Sequence, residues 1–82
     1  MGYVVREEDS QTGSVTRRGP FVTEQEARMA LGNLVEQAYD FNPQLATANV
    51  RQEVEDAVRD GRKDCFDAKG NLVCRYTVRT EQ

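Results

Sequence analysis

The chain has 82 residues, a net charge of -3 at pH 7 and no histidine. A chain of this length builds a single domain, 1–82, with a small core. No run of apolar residues reaches about 18, and the first residues lack the pattern of a signal peptide. We therefore expect no membrane contact and a cytoplasmic location. The acidic balance disfavours non-specific nucleic-acid binding, which needs Lys and Arg to replace phosphate counterions.

The first predicted element is a β-hairpin. "GYVVRE" has the β-forming residues of a strand, "DSQTGS" breaks it, and "SVTRRGPFV" returns antiparallel. The break suits a type I turn closed by a left-handed glycine, which predicts a three-residue loop with Ser10 opposite Ser14. In this register Val15 shares the face of Tyr3, and Phe21 lies opposite Tyr3.

A helix should begin after Thr23. Thr23 and Glu26 have the spacing of a capping box, in which each side chain satisfies a backbone donor at the helix start. Gly32 interrupts the helix at a cost of about 1 kcal/mol relative to Ala, which is tolerable where a neighbour must approach closely. The apolar residues at helical spacing are Ala27, Ala30, Leu31, Leu34, Ala38 and Phe41.

A second helix is predicted over roughly 48–60, and Gly61 is placed to end it. Its apolar face comprises Val50, Val54, Ala57 and Val58. Another hairpin follows around "DAKGN". Together these elements predict an α+β fold, a two-layer sandwich in which an antiparallel four-stranded sheet carries two helices on one face, with the elements in the order ββααββ. The strand order stays open.

The register of the last hairpin decides where the two cysteines lie. A two-residue loop would place Cys65 directly opposite Cys74, where a disulfide is sterically allowed. A three-residue loop places Cys65 opposite Val73 and sends the two sulfur atoms to opposite faces. Because Asp67 and Gly70 match a type I turn with a left-handed glycine, we favour the three-residue loop. It predicts no intrachain disulfide, with Cys74 inside and Cys65 outside.

The same register assigns the faces of the sheet. The residues predicted to face the core here are Phe66, Leu72, Cys74, Tyr76 and Val78. The residues predicted on the outer face are Arg6, Thr16, Arg18, Cys65, Val73, Arg75, Thr77 and Arg79. Since no aromatic residue is among the second group, we expect no base-stacking platform for single-stranded RNA.

One segment resembles a known family. "RGPFVTEQEARMAL", residues 18–31, is similar to the strand-to-helix segment of SPOR domains, which bind glycan strands of bacterial cell walls. The predicted order of two strands, two helices and two strands differs from the alternating strands and helices of that family. We therefore transfer no binding residue from it.

No residues form a catalytic or metal-binding pattern. The absence of histidine removes the commonest general base and the commonest transition-metal ligand. Cysteines on opposite faces do not make a zinc site without a partner chain, and Cys65, with only Lys63 near it in sequence, is interpreted as a surface thiol. We expect no enzyme, no cofactor and no metal.

Two charged surfaces are the candidate binding sites. On the outer sheet face the candidates are Arg6, Arg18, Arg75, Thr77 and Arg79. On the second helix the candidates are Glu53, Glu55, Asp56 and Asp60. The acidic group lacks the glycine-containing spacing of a calcium loop; it is either a solvated helix face or an acidic surface that imitates nucleic-acid phosphates. An Arg- and Thr-rich face is also ordinary for an open antiparallel sheet.

These observations give two hypotheses of function. The first is a small non-catalytic protein-binding or regulatory module that acts through charged surfaces. In size and charge it is similar to phage-encoded anti-CRISPR proteins, which inhibit nucleic-acid-handling machinery. The alternative is an anion- or nucleic-acid-binding domain that uses the arginines of the sheet. Another protein is the expected partner, and an exposed sheet edge leaves homodimerisation open.

Overall fold

The computed structural model describes residues 2–81, and the order of its elements is ββααββ. They are β1 (Gly2–Asp9), β2 (Val15–Phe21), α1 (Glu24–Phe41), α2 (Val50–Asp60), β3 (Arg62–Phe66) and β4 (Leu72–Glu81). All strand pairs are antiparallel and form one sheet in the order β2-β1-β4-β3. The predicted α+β fold is confirmed. Each hairpin contributes its terminal strand to the centre, so β2 and β3 are the edges.

α1 begins directly after Thr23 and α2 ends before Gly61, as predicted, whereas α2 begins at Val50 rather than near residue 48. The Thr23 hydroxyl accepts a hydrogen bond from the amide of Glu26 at 3.1 Å, which caps α1. At the end of α2, Gly61 adopts the left-handed conformation with φ of 70°. Gly32 lies where α2 crosses α1, since a Cβ atom there would be 2.7 Å from Cγ2 of Val58. The close approach expected at this glycine is therefore confirmed.

The core lies between the sheet and the helices, and α1 supplies much of it. Leu31 and Val35 are fully buried, as is Val5 from the central strand β1. The prediction that Phe41 belongs to the apolar stripe is wrong, because its residue is 78% exposed at the last position of α1. The chain turns away at that point, and Leu45, beyond the helix, is buried instead.

The first hairpin differs from its predicted register by one residue. The amide of Asp9 donates to the carbonyl of Ser14 at 2.9 Å, so Asp9 lies opposite Ser14 and the loop has four residues, 10–13. An Asp9 carboxylate oxygen accepts hydrogen bonds from two loop amides, and these contacts favour the longer loop. The predicted pairing of Ser10 with Ser14 is wrong, and Val15 is therefore exposed on the outer side.

Near the end of β2, its pairing with β1 returns to the predicted register. Val5 pairs with Arg18, whereas Tyr3 pairs with Phe21, so β2 has one extra residue between these pairs. Gly19 lies in this bulge with φ of 117°, a conformation that favours glycine. The bulge returns Phe21 to the covered side of the sheet, and the predicted position of Phe21 opposite Tyr3 is confirmed.

The loop of the second hairpin was predicted correctly, but the strands beyond it were not. The amide of Asp67 donates to the carbonyl of Asn71 at 3.0 Å around the three-residue loop. Past Phe66 and its partner Leu72 the register shifts by one, and Cys65 pairs directly with Cys74. The extra residue of β4 is Val73, which is buried at 5% exposure.

Because of this bulge, the predicted faces of several side chains are wrong. Cys65 is fully buried rather than on the outer face, and Cys74 is on the same covered side, where it is half-buried. Phe66 alternates with Cys65 and so lies on the outer side, 44% exposed, opposite Leu72. Both cysteines are free thiols. The geometric reason for excluding a disulfide, sulfur atoms on opposite faces, is wrong.

Candidate functional site

The side of the sheet opposite the helices, which we call the open face, has more arginines than carboxylates. Alternation along β1 and β4 directs Arg6, Arg75, Thr77 and Arg79 to it, as predicted. Its charged residues are Arg6, Glu8, Arg17, Arg62, Asp64, Arg75, Arg79 and Glu81. The open face thus has five arginines and three carboxylates, whereas the two helices have three arginines and eight carboxylates.

Besides Cys65 and Val73, two more residues predicted on the open face lie elsewhere. The four-residue loop of the first hairpin turns Arg18 and Thr16 toward the helix side, where they pair with Val5 and Glu7 of β1. Nε of Arg18 lies 2.8 Å from Oε2 of Glu7. Arg17 takes the predicted place of Arg18, directly opposite Arg6. Reading the Asp9 side chain as the loop's hydrogen-bond acceptor could have indicated this shift.

Carboxylates accompany most arginines of the open face. Arg6 lies 3.0 Å from Glu8, and Arg75 lies 2.8 Å from Asp64. Within residues 2–81, Arg79 makes no ion pair. Exposed pairs of this kind contribute about 0–1 kcal/mol each, so a guanidinium exchanges its partner for another carboxylate at small cost.

Apolar side chains border one end of the open face. Val15 is 52% exposed, and Phe66 and Leu72 lie opposite each other on β3 and β4. A cleft of about 200 Å³ lies between the guanidinium-bearing strands and the first loop. Its lining includes Arg6, Ser10, Val15, Leu72 and Arg75. The prediction that the outer face has no aromatic residue is wrong for Phe66, because the bulge at Val73 reverses its side.

The acidic candidates on α2 do not form one continuous strip. Glu55 lies 3.7 Å from Arg51, while Asp56 and Asp60 lie 3.2 and 2.9 Å from Arg59. The hydrogen bond from Arg59 holds the pKa of Asp60 below its usual value. These three carboxylates are therefore partly neutralised by arginines of the same helix. They suit a solvated helix face better than a site for a basic groove.

Glu53, the fourth acidic candidate, points inward. Its carboxylate accepts hydrogen bonds from the Tyr39 hydroxyl at 2.5 Å and from Nζ of Lys63 at 3.0 Å. The Glu53 and Lys63 side chains are only 22% and 16% exposed. Burial, followed by the hydrogen bond to Glu53, raises the pKa of Tyr39. This group ties α1, α2 and β3 together, and sequence spacing alone did not separate Glu53 from its exposed neighbours.

A second cleft, which we call the thiol cleft, opens on the helix side of the sheet near the first loop. Its volume is about 310 Å³, and half-buried Cys74 forms part of its wall. Other lining residues are Glu7, Asp9, Thr16, Arg18, Asn42, Gln44 and Tyr76. Cys65 lies behind Cys74 and is fully buried. The neighbouring Cys65 thiol favours the thiolate form of Cys74 and holds the pKa of Cys74 below its usual value.

No cluster of three or more Cys, Asp or Glu side chains suited to a metal ion occurs among residues 2–81. In the same part of the chain, neither helix is long and apolar enough to cross a membrane.

Comparison with known proteins gives no relative. No protein-family model matches the chain, and no curated protein or solved structure is significantly similar to it.

Proposed function

We propose that the protein is a non-catalytic binding module that holds another protein on the open face of its sheet. The observation that supports this proposal is the excess of arginine on an uncovered surface, five guanidiniums against three carboxylates. The face opposes helices of the reverse charge, so the molecule is electrostatically polar. A polar molecule of this kind is oriented during an encounter by a partner with an acidic surface.

The chemistry of the open face suits a protein partner. Arginine is enriched at protein interfaces because its planar guanidinium donates several hydrogen bonds and packs on apolar groups. Val4 is only 5% exposed on this side although no helix covers it. At the other end, Phe66 and Leu72 offer an apolar anchor. Guanidiniums beside an aromatic anchor are typical of energetically important interface positions.

The expected partner is a larger protein with an acidic patch. A cytoplasmic module of this size would act by covering a surface of its partner, as an inhibitor of nucleic-acid-handling machinery would. The acidic α2 is a weaker candidate surface, because three of its four carboxylates already face arginines of their own helix. Self-association through the exposed edge strand β2 would compete with such a partner, and size-exclusion chromatography measures it directly.

Nucleic-acid binding is the second candidate, and the five arginines of one face favour it. Phosphates would have to displace Glu8, Asp64 and Glu81 from their guanidiniums. A fluorescence anisotropy titration with single- and double-stranded oligonucleotides at low ionic strength tests this alternative, since phosphate contacts weaken steeply with salt. Absence of binding at low salt would eliminate it.

Charge reversal on the open face tests the main proposal. Arg79→Glu changes a side chain that makes no ion pair within residues 2–81, so the fold should tolerate it. Arg51→Glu on α2 is the matched control, because the Arg51 side chain is 90% exposed and lies on the opposite layer. We expect affinity capture from the source cell to lose its specific partner with Arg79→Glu and to keep it with Arg51→Glu. Equal retention by both variants would contradict the proposal.

A further inference from the structure

Cys65 and Cys74 have no part in the proposed binding face, yet their arrangement is specific. They are directly opposed on neighbouring antiparallel strands, and both lie on the covered side of the sheet. The Cα atoms of opposed residues in such a pair are about 4.5–5.5 Å apart. A disulfide spans Cα separations of about 4.4–6.8 Å, so the register brings the two residues within bonding range.

The two thiols differ in access. Cys65 is fully buried in the core cluster, against which Tyr39 packs. Cys74 is half-buried and lines the thiol cleft. A reagent that enters the cleft therefore meets Cys74 first, while Cys65 is reached only through Cys74 or after local unfolding.

The thiol cleft has the size and lining of a small-molecule site. Its volume of about 310 Å³ lies at the lower end of the range of about 300–1,000 Å³ common for ligand pockets. Asn42 and Gln44 offer amide donors and acceptors on one side. The carboxylates of Glu7, Glu8 and Asp9 offer partners for an ammonium group, and the Arg18 guanidinium, which is paired with Glu7, offers a partner for a carboxylate. These groups suit a small polar molecule that carries peptide bonds, an ammonium group and a carboxylate.

We propose that Cys65 and Cys74 form a reversible dithiol site whose co-substrate is a low-molecular-weight peptide disulfide of the glutathione type. The Cys74 thiolate attacks one sulfur of the disulfide, which forms a mixed disulfide at Cys74 and releases one thiolate. Cys65 then attacks the Cys74 sulfur, releases the second thiolate and passes its proton to it. Two protein thiols are oxidised to one disulfide, and one small disulfide is reduced to two thiols.

The internal disulfide leaves the rest of the molecule in place. It joins two strands that are already hydrogen-bonded neighbours, and both sulfur atoms lie on the side away from the open face. Oxidation is therefore expected to leave the arginines of the open face unchanged. Failure of the dithiol site and failure of the binding proposal would be seen in separate experiments.

The test follows native protein incubated with oxidised glutathione, by intact mass and peptide mapping. In the wild-type protein we expect an adduct on Cys74, followed by a species two hydrogen atoms lighter than the reduced chain with Cys65 joined to Cys74. Cys65→Ala should stop at the adduct on Cys74. Cys74→Ala should react more than about tenfold slower, because Cys65 is reached only through local opening.

Circular dichroism and urea unfolding establish whether each variant is folded, and the wild-type time course needs no substitution at all. An adduct that forms first on Cys65 would overturn the proposal. So would a wild-type product that keeps glutathione on Cys74 or joins two chains without an internal bridge.

Discussion

Cys65 and Cys74 are paired across β3 and β4 because β4 has one residue, Val73, that has no partner in β3. The turn residues predicted the loop correctly, since Asp67 and Asn71 flank it. The bulge two residues further on moves Cys65 from the predicted outer face to the covered side, whereas Cys74 stays on the covered side as predicted. Turn chemistry is local, whereas the bulge is stabilised by burying Val73 in the core, which depends on the helices above it.

The bulge predicts an unusual order of mutational cost at the start of β4. Val73→Ala removes a buried side chain and should lower the free energy of unfolding by about 1–3 kcal/mol. Leu72→Ala removes more atoms but from the outer side, so it should cost less. Urea unfolding of both variants measures the difference. A larger loss for Leu72→Ala would support the uninterrupted register that the sequence alone suggests.

The two hairpins show how far the sequence determines this fold. Both helices, the caps at Thr23 and Gly61, the order of elements and the loop of the second hairpin follow from local patterns. The faces of β2 and β3 do not, because each depends on a shift of one residue. The Asp9 carboxylate accepts hydrogen bonds from loop amides and so favours a first loop that is one residue longer than predicted. The resulting one-residue shift in the register of β2 places Arg17 on the open face and Arg18 at the thiol cleft, the reverse of the prediction.

Substitution of Gly32 tests the contact between the helices. Alanine in a helix is favoured over glycine by about 1 kcal/mol. A Cβ atom at this position, however, would lie 2.7 Å from Cγ2 of Val58 and 3.4 Å from Cγ1 of Val54. We expect Gly32→Ala to be destabilising by about 1–3 kcal/mol, because overpacking outweighs the helix preference.

Thermal or urea unfolding measures this cost, and Asn33→Ala on the exposed side of the same helix is the control. The control should be neutral or stabilising, since alanine is the better helix former there. Stabilisation by Gly32→Ala of the same size as by Asn33→Ala would show that α2 does not pack this closely on α1.

Asp67 is expected to link the stability of the second hairpin to acid pH. Hydrogen bonds from the amides of Asn71 and Lys69 hold its pKa below the usual value. A carboxyl group whose pKa is lower in the folded state stabilises the fold above its unfolded pKa of about 3.9, and this contribution is lost as pH falls.

Asp67→Asn keeps an acceptor oxygen but not the charge. The variant should be less stable than the wild type at neutral pH, and urea unfolding should show the difference shrinking below about pH 4. A difference independent of pH would contradict this.

Tyr39 is expected to make the fold sensitive to alkali. Burial and the hydrogen bond to Glu53 raise its pKa, and burial likewise raises the pKa of Tyr76. Above about pH 10 the unfolded chain therefore releases tyrosine protons that the folded chain retains, so stability falls as pH rises.

Tyr39→Phe isolates the share that comes from Tyr39. At neutral pH the variant should be less stable by about 1–3 kcal/mol, because the hydroxyl no longer donates to the Glu53 carboxylate. Above about pH 10 it should lose stability less steeply than the wild type, since one of the two tyrosines with a raised pKa is gone. Urea unfolding between neutral and alkaline pH, with tyrosinate absorbance followed in the folded protein, measures both effects. Parallel losses in the two proteins would mean that Tyr39 ionises equally readily folded and unfolded, and that its contact with Glu53 does not hold the proton.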